Sequence, residues 1–185
     1  MSDAKATRVE QHREYLQLLA RMQVAPHLAG KIDLSGVVQQ TVWEATQAAQ
    51  PGGEDRQWLA WLRRLLANNL RDEIRKVSAA RRDVRREQSL EAALDASSVR
   101  VEALLVSQST SPSEHVIRSE TLNRLAVALS ALPEDQRVAI ELHHLQGLPL
   151  SAVADQLGRS KEAVASLLYR ALKRLKKQLH ADEGE

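Results

Sequence analysis

The chain contains no cysteine and no phenylalanine, and only 3% of its 185 residues are aromatic. Without cysteine there is neither a disulfide framework nor a cysteine-based zinc site. Glycine (7) and proline (5) are both scarce, which disfavours a turn-rich β fold. No apolar run approaches the length of a membrane span. The opening MSDAKATRVEQHREYL is polar and lacks the apolar core of a signal peptide. No carboxylate pair, nucleophile set or phosphate-cradling loop stands out, so an enzyme is the least expected class. What remains is 43% hydrophobic, carried by Leu, Val, Ala and Ile rather than by rings. Such a core suits packed helices, and the length allows one domain or two small ones. An all-α, cytoplasmic protein is expected.

Helical periodicity supports this. Tyr15, Leu16, Leu18, Leu19 and Met22 share a stripe within residues 7–22, which Pro26 and Gly30 punctuate. Asp33 is a good N-cap for a helix carrying Val37, Val38, Val42 and Trp43. Pro51, Gly52 and Gly53 end that pattern. A long helix then starts near Asp55, with Trp58, Trp61, Leu62, Leu65, Leu66, Leu70 and Ile74 on one face and Arg63, Arg64, Arg71, Arg75 and Lys76 off it. After Val77 the chain turns polar and serine-rich with weak periodicity, as a tether would be. Val116, Ile117, Leu122, Leu125 and Leu129 open a second helical block. Pro133, Glu134 and Asp135 suit a helix start, and Gly147 a stop. The expected organisation is two small helical domains, 1–85 and 113–182, joined by a flexible linker, 86–112.

The net charge of +2 hides an uneven distribution. Residues 63–87 carry nine Arg/Lys against four Asp/Glu, and residues 159–177 carry seven against one. Between them, residues 88–122 carry two against five. Two basic blocks flanking an acidic connector are the footprint of a polyanion partner, although solvated helix faces would look the same.

The last basic block discriminates better. Leu150, Val153, Ala154 and Leu157 form a two-turn helix, Gly158, Arg159 and Ser160 a turn, and Lys161 opens a longer helix. This is helix-turn-helix spacing. Gly158 can take positive φ and Ser160 can cap the second helix. Lys161, Glu162, Ala165, Ser166 and Tyr169 would then face base edges, while Arg159, Arg170, Lys173 and Arg174 would reach phosphates.

LPEDQRVAIELHHLQGLPLSAVADQLGRSKEAVASLLYRALKRLK (132–176) resembles region 4 of bacterial sigma factors. The likeness rests on Leu132-Pro133, Gly147, Gly158-Arg159-Ser160, Val164-Ala165-Ser166 and Arg170-Ala171. DLSGVVQQTVWEA (33–45) resembles the polymerase-binding helix of region 2, and WLRRLLANNLRDEIRK (61–76) its promoter-opening helix. Region 2 followed directly by region 4 is the layout of extracytoplasmic-function (ECF) sigma factors. RRDVRREQSL (81–90) is similar to a subgroup from planctomycete-type bacteria. The resemblance implies binding to the largest and second-largest subunits of core RNA polymerase and to promoter DNA. It also admits an anti-sigma factor or other regulator, and, since a sigma factor makes and breaks no bond, implies no catalytic residue, no metal and no cofactor; the lack of long apolar runs implies no membrane contact. Val38, Gln39, Gln40, Thr41 and Glu44 would grip polymerase. Arg64, Asn68, Arg71, Arg75 and Lys76, with the loop before Trp58, would serve the minus-ten element. The ten residues named for the helix-turn-helix would serve the minus-thirty-five element.

Several positions depart from the family's habit. Gly36 and Gln40 stand where acids are usual, Ala165 and Leu167 where basic residues are common, and Ala152 and Pro149 where Glu and Ser are. Trp43, Trp58 and Trp61 lie in apolar stripes and read as core. His143 and His144, adjacent on a helix, read as a solvated or capping pair. A stand-alone helix-turn-helix regulator and a helical adaptor remain the competing readings.

Overall fold

The computed structural model describes residues 2–24, 28, 30–49, 51, 55–77, 84–108 and 119–181. The loop before Trp58, the 81–83 part of the basic motif, and Val116 and Ile117 lie outside them. The chain is all-α, and among the described residues no strand occurs. It divides into two compact units, one of Met1–Ser98 with Arg118–Asn123, the other of Val99–Ile117 with Arg124–Glu185.

In the first unit the expected N-terminal helix is two helices, α1 (Ser2–Glu10) and α2 (Arg13–Gln23). His12 makes the break. Its Nδ1 donates to the Arg8 carbonyl at 2.8 Å, taking the acceptor that its own backbone N–H would use in an α-helix. That N–H turns to the Val9 carbonyl instead. The imidazole is thereby folded inward, edge-on to Trp58 with ring centroids 6.1 Å apart. Helix α3 (Leu34–Gln47) starts where expected, with the Asp33 carboxylate accepting from the Gly36 N–H at 2.9 Å. Helix α4 (Asp55–Val77) buries Trp58, Leu59, Leu62, Leu66, Ala67 and Leu70. It packs along α3, whose buried residues include Val37, Val38, Val42 and Ala45. Burying each large apolar side chain stabilises the bundle by about 1.5–3 kcal/mol, so this face fixes where the opposite face of α4 points.

Residues expected to form the tether contain a long helix, α5 (Val84–Gln108). Its periodicity is weak in sequence because polar groups do part of the packing. In the first unit Leu94 is buried, the Tyr15 hydroxyl donates to Ser98 Oγ at 2.8 Å, and Gln23 Nε2 donates to Ser97 Oγ at 2.8 Å. Serines read as loop-formers are here buried hydrogen-bond partners, and an all-apolar template does not register them.

The second unit holds the last part of α5 with Val101, Leu104 and Leu105 buried, most of α6 (Ser119–Ser130), α7 (Glu134–Ile140), α8 (Leu150–Leu157) and α9 (Lys161–Ala181). Helix α7 widens into a π-helical turn, Glu141–Leu145. Arg100 Nη1 donates to the Leu145 carbonyl at 3.0 Å and His143 Nδ1 to the Leu148 carbonyl at 2.7 Å. The first satisfies a carbonyl group at the helix end, where intrahelical donors run out, and the second one in the loop that follows. Gly147 and Gly158 have φ of 75° and 61°, a region that a side chain would resist. Helix α9 packs against α7 and α8 through Val164, Leu167, Leu168, Ala171 and Leu175.

Candidate nucleic-acid interface

In the second unit, burial of Val164, Leu168, Ala171 and Leu175 turns the opposite face of α9 outward. Lys161, Glu162, Ala165, Ser166, Tyr169, Arg170, Lys173 and Arg174 are all exposed, as are Arg159 and Ser160 in the turn. Tyr169 is 68% exposed, unusual for a ring that nothing covers. It borders a shallow concavity of about 530 Å³ with Ala165, Ser166 and Arg170. Ser160 caps the helix, accepting from the Ala163 N–H at 3.2 Å. The Glu162 carboxyl is held below its ordinary pKa by its own backbone N–H, then by the Ser160 hydroxyl. A negative charge in the first helical turn also suits the macrodipole.

The cations of this face differ in their freedom. Arg159 is ion-paired with Asp135, so it braces the turn against α7. Arg170 Nε donates back to the Ser166 carbonyl at 3.2 Å. Lys173, Arg174, Lys176 and Lys177 pair with no acid among the described residues. They continue the charged stripe past the residues placed to read bases. Unpaired surface cations are the groups that exchange counterions for phosphates.

In the first unit Arg64, Asn68, Arg71 and Arg75 recur every three or four residues, on the side of α4 away from its buried stripe. Trp61, half-buried, begins this row and stacks at a tilt on buried Trp58, centroids 5.1 Å apart. Here the cations are already engaged. Arg64 Nε lies 3.3 Å from Glu91, Arg75 3.9 Å from Asp72 and Lys76 2.8 Å from Glu73. Arg71 Nη1 donates to Asn68 Oδ1 at 2.9 Å, and Asn68 is exposed. Arg63, beside this row, is the structural one. Its Nε donates to Asp95 at 2.6 Å, and its Nη1 lies 3.4 Å from both the Tyr15 hydroxyl and Ser98 Oγ.

The α3 candidates separate into two groups. Gln39 and Gln40 are exposed and Glu44 half-exposed, but Val38 and Thr41 have no exposed surface at all. Those two are core, and Thr41 spends its hydroxyl proton on the Val37 carbonyl at 2.8 Å. Trp43, expected in the core, is 58% exposed. It follows Gln39 and Gln40 by four and three residues, so the polar stripe carries it outward. Counting from those glutamines, not from the valines, would have found it. Gly36 also gains a reason: a Cβ there would stand 2.5 Å from the Asp33 cap carboxylate.

Residues 122–175 match the family described as Sigma-70, region 4. The matched segment takes in α7, the π turn, α8 and most of α9, less than a third of the chain, and α3 and α4 lie outside it. That description brings sigma-factor, transcription, DNA-binding and helix-turn-helix character to the segment whose exposed face has just been built. No curated protein matches the sequence. Among the described residues, no helix is long and apolar enough to cross a membrane.

Proposed function

We propose that this chain is a sigma factor of the ECF type, a cytoplasmic subunit that binds core RNA polymerase and directs initiation at particular promoters. The observation that carries the reading is the sigma-70 region 4 match over a helix-turn-helix whose ten nominated residues are all exposed. In this reading α9 reads the minus-thirty-five element as duplex. Ala165 and the Tyr169 ring offer apolar contact to thymine methyls, and Ser166 and Glu162 offer polar contact to base edges. The stripe Arg64–Asn68–Arg71–Arg75 holds the opened minus-ten strand: an amide can pair with a flipped base, and arginines can follow its backbone. Gln39, Gln40, Trp43 and Glu44 form the polymerase-facing side of α3. An ECF subgroup of the planctomycete type is supported by residues 81–90, and an anti-sigma regulator would be an added partner.

The energetic logic is stabilisation of a strand opened at a weak step, with no bond made or broken by the chain. The test is DNA binding with and without core polymerase. This reading expects weak, salt-sensitive duplex binding by the free chain and tight promoter-specific binding once core is added. Tight duplex binding that core leaves unchanged would instead favour a stand-alone regulator.

A further inference from the structure

Helix α3 contains one charged residue among its fourteen, Glu44. Its carboxylate is held from both sides by neutral amides. Gln40 Nε2 donates to Oε1 at 2.8 Å from one turn earlier on α3. Asn69 Nδ2 donates to Oε2 at 2.9 Å from α4. The same Asn69 amide donates its second proton to Thr41 Oγ1 at 3.1 Å, and Thr41 passes its own proton to the Val37 carbonyl. Four hydrogen bonds thus link Gln40, Glu44, Asn69, Thr41 and the Val37 carbonyl.

Two features argue that this network does more than join two helices. First, the joint is already made by apolar side chains: Val37, Val38, Val42 and Ala45 on one side and Leu62, Leu66 and Leu70 on the other are buried. An asparagine in mid-helix is a poorer helix former than leucine or alanine, so packing alone would not call for it. Second, Glu44 pairs with no cation among the described residues. Amide donors fix a carboxylate's direction but leave its charge uncancelled, whereas a salt bridge would cancel it. The held carboxylate lines a groove of about 770 Å³ between α3 and α4. Its acceptor-only oxygens suit an arginine fork or a lysine ammonium.

We propose that Asn69 is a positioning residue: it reaches from the DNA-facing helix to fix Glu44 of α3 as the anionic anchor for a basic side chain of the docked polymerase. Gln40 supports the same carboxylate from the other side. Where the family carries acids at 36 and 40, α3 of this chain carries one oriented acid, in a groove also lined by Asp33, Asp72, Glu73, Arg75 and Lys76. The proposal rests on the sigma-factor reading above.

The experiment is a double-mutant cycle on affinity for core polymerase, measured by competition against a fluorescently labelled wild-type chain, with melting temperatures alongside. Asn69→Ala and Glu44→Ala should each weaken binding about tenfold, the scale of one hydrogen bond to a charged group. In the Glu44→Ala background, Asn69→Ala should add no more than about twofold. Asn69→Leu should melt no lower than wild type, since leucine favours the helix, and still lose the affinity. Additive losses, or an Asn69→Leu chain that binds core as wild type does, would overturn the positioning role while leaving the sigma reading intact. A wild-type chain that does not bind core at all would overturn both.

Discussion

His12 shows how one side chain can tie local geometry to solution behaviour. It is buried beside Trp58, and desolvation is the largest influence on it, lowering its pKa from the ordinary 6.5. The unfolded chain therefore binds this proton more readily than the folded one, so stability is complete above about pH 6.5 and falls as pH drops below it toward the folded value. The melting temperature should fall from pH 7.5 to pH 5.5, and His12→Phe should fall by less; equal falls would show that His12 contributes nothing. Asn68 is the other residue with a sharp expectation. In the proposed reading its exposed amide serves an opened strand, so Asn68→Ala should lower strand opening, read by thymine reactivity to permanganate, more than duplex retention. Equal loss of both would contradict its placement. At this scale the sequence was readable where one helical stripe decided burial: the exposure of the eight helix-turn-helix candidates on α9 follows from the burial of Val164, Leu168 and Leu175. It misled where two stripes abut. Val38 and Thr41, candidates for polymerase contact, are buried, and Trp43, expected in the core, is exposed on the glutamine row.

Helices α4 and α9 are both basic, yet they hold their charge differently. On α9 the cations from Lys173 to Lys177 have no acidic partner among the described residues, while on α4 Arg64, Arg75 and Lys76 each have one. Neutralised cations release fewer counterions when they meet phosphate, so the salt dependence of DNA binding should reside mainly in α9. Replacing Lys173 by Ala should reduce the slope of log affinity against log salt by about 1, uniformly across DNA sequences. Replacing Arg75 by Ala should reduce it by less. Equal slopes for the two variants would show that the acids of α4 leave its charge available. Helix α5 carries the other element-scale expectation. With Leu94, Ser97, Ser98, Val101 and Leu104 buried, limited proteolysis should spare residues 90–105, and Arg63→Ala, which removes the Asp95 contact, should open the stretch to cleavage. Ready cleavage there in the wild type would contradict the packed helix. Helices with apolar stripes, glycine stops and Asp or Ser caps were legible in the sequence. Helix α5 was not, because serine and tyrosine hydroxyls supply its contacts and periodicity counts only apolar side chains.

As a whole molecule, the chain has two helical units, each presenting a polar, cation-bearing face. The all-α class was readable from scarce glycine and absent phenylalanine. The exposed face of α3 was readable only as a likeness, since its hydrogen-bond network joins Gln40 and Glu44 to an asparagine twenty-five residues further on. If the chain is a sigma factor, it makes core polymerase start at chosen sites. The decisive measurement is run-off transcription by core polymerase on a library of bacterial promoter fragments, with and without the chain. Discrete transcripts should require the chain and disappear with Arg170→Ala in α9. A transcript pattern indifferent to the chain would overturn the sigma-factor reading.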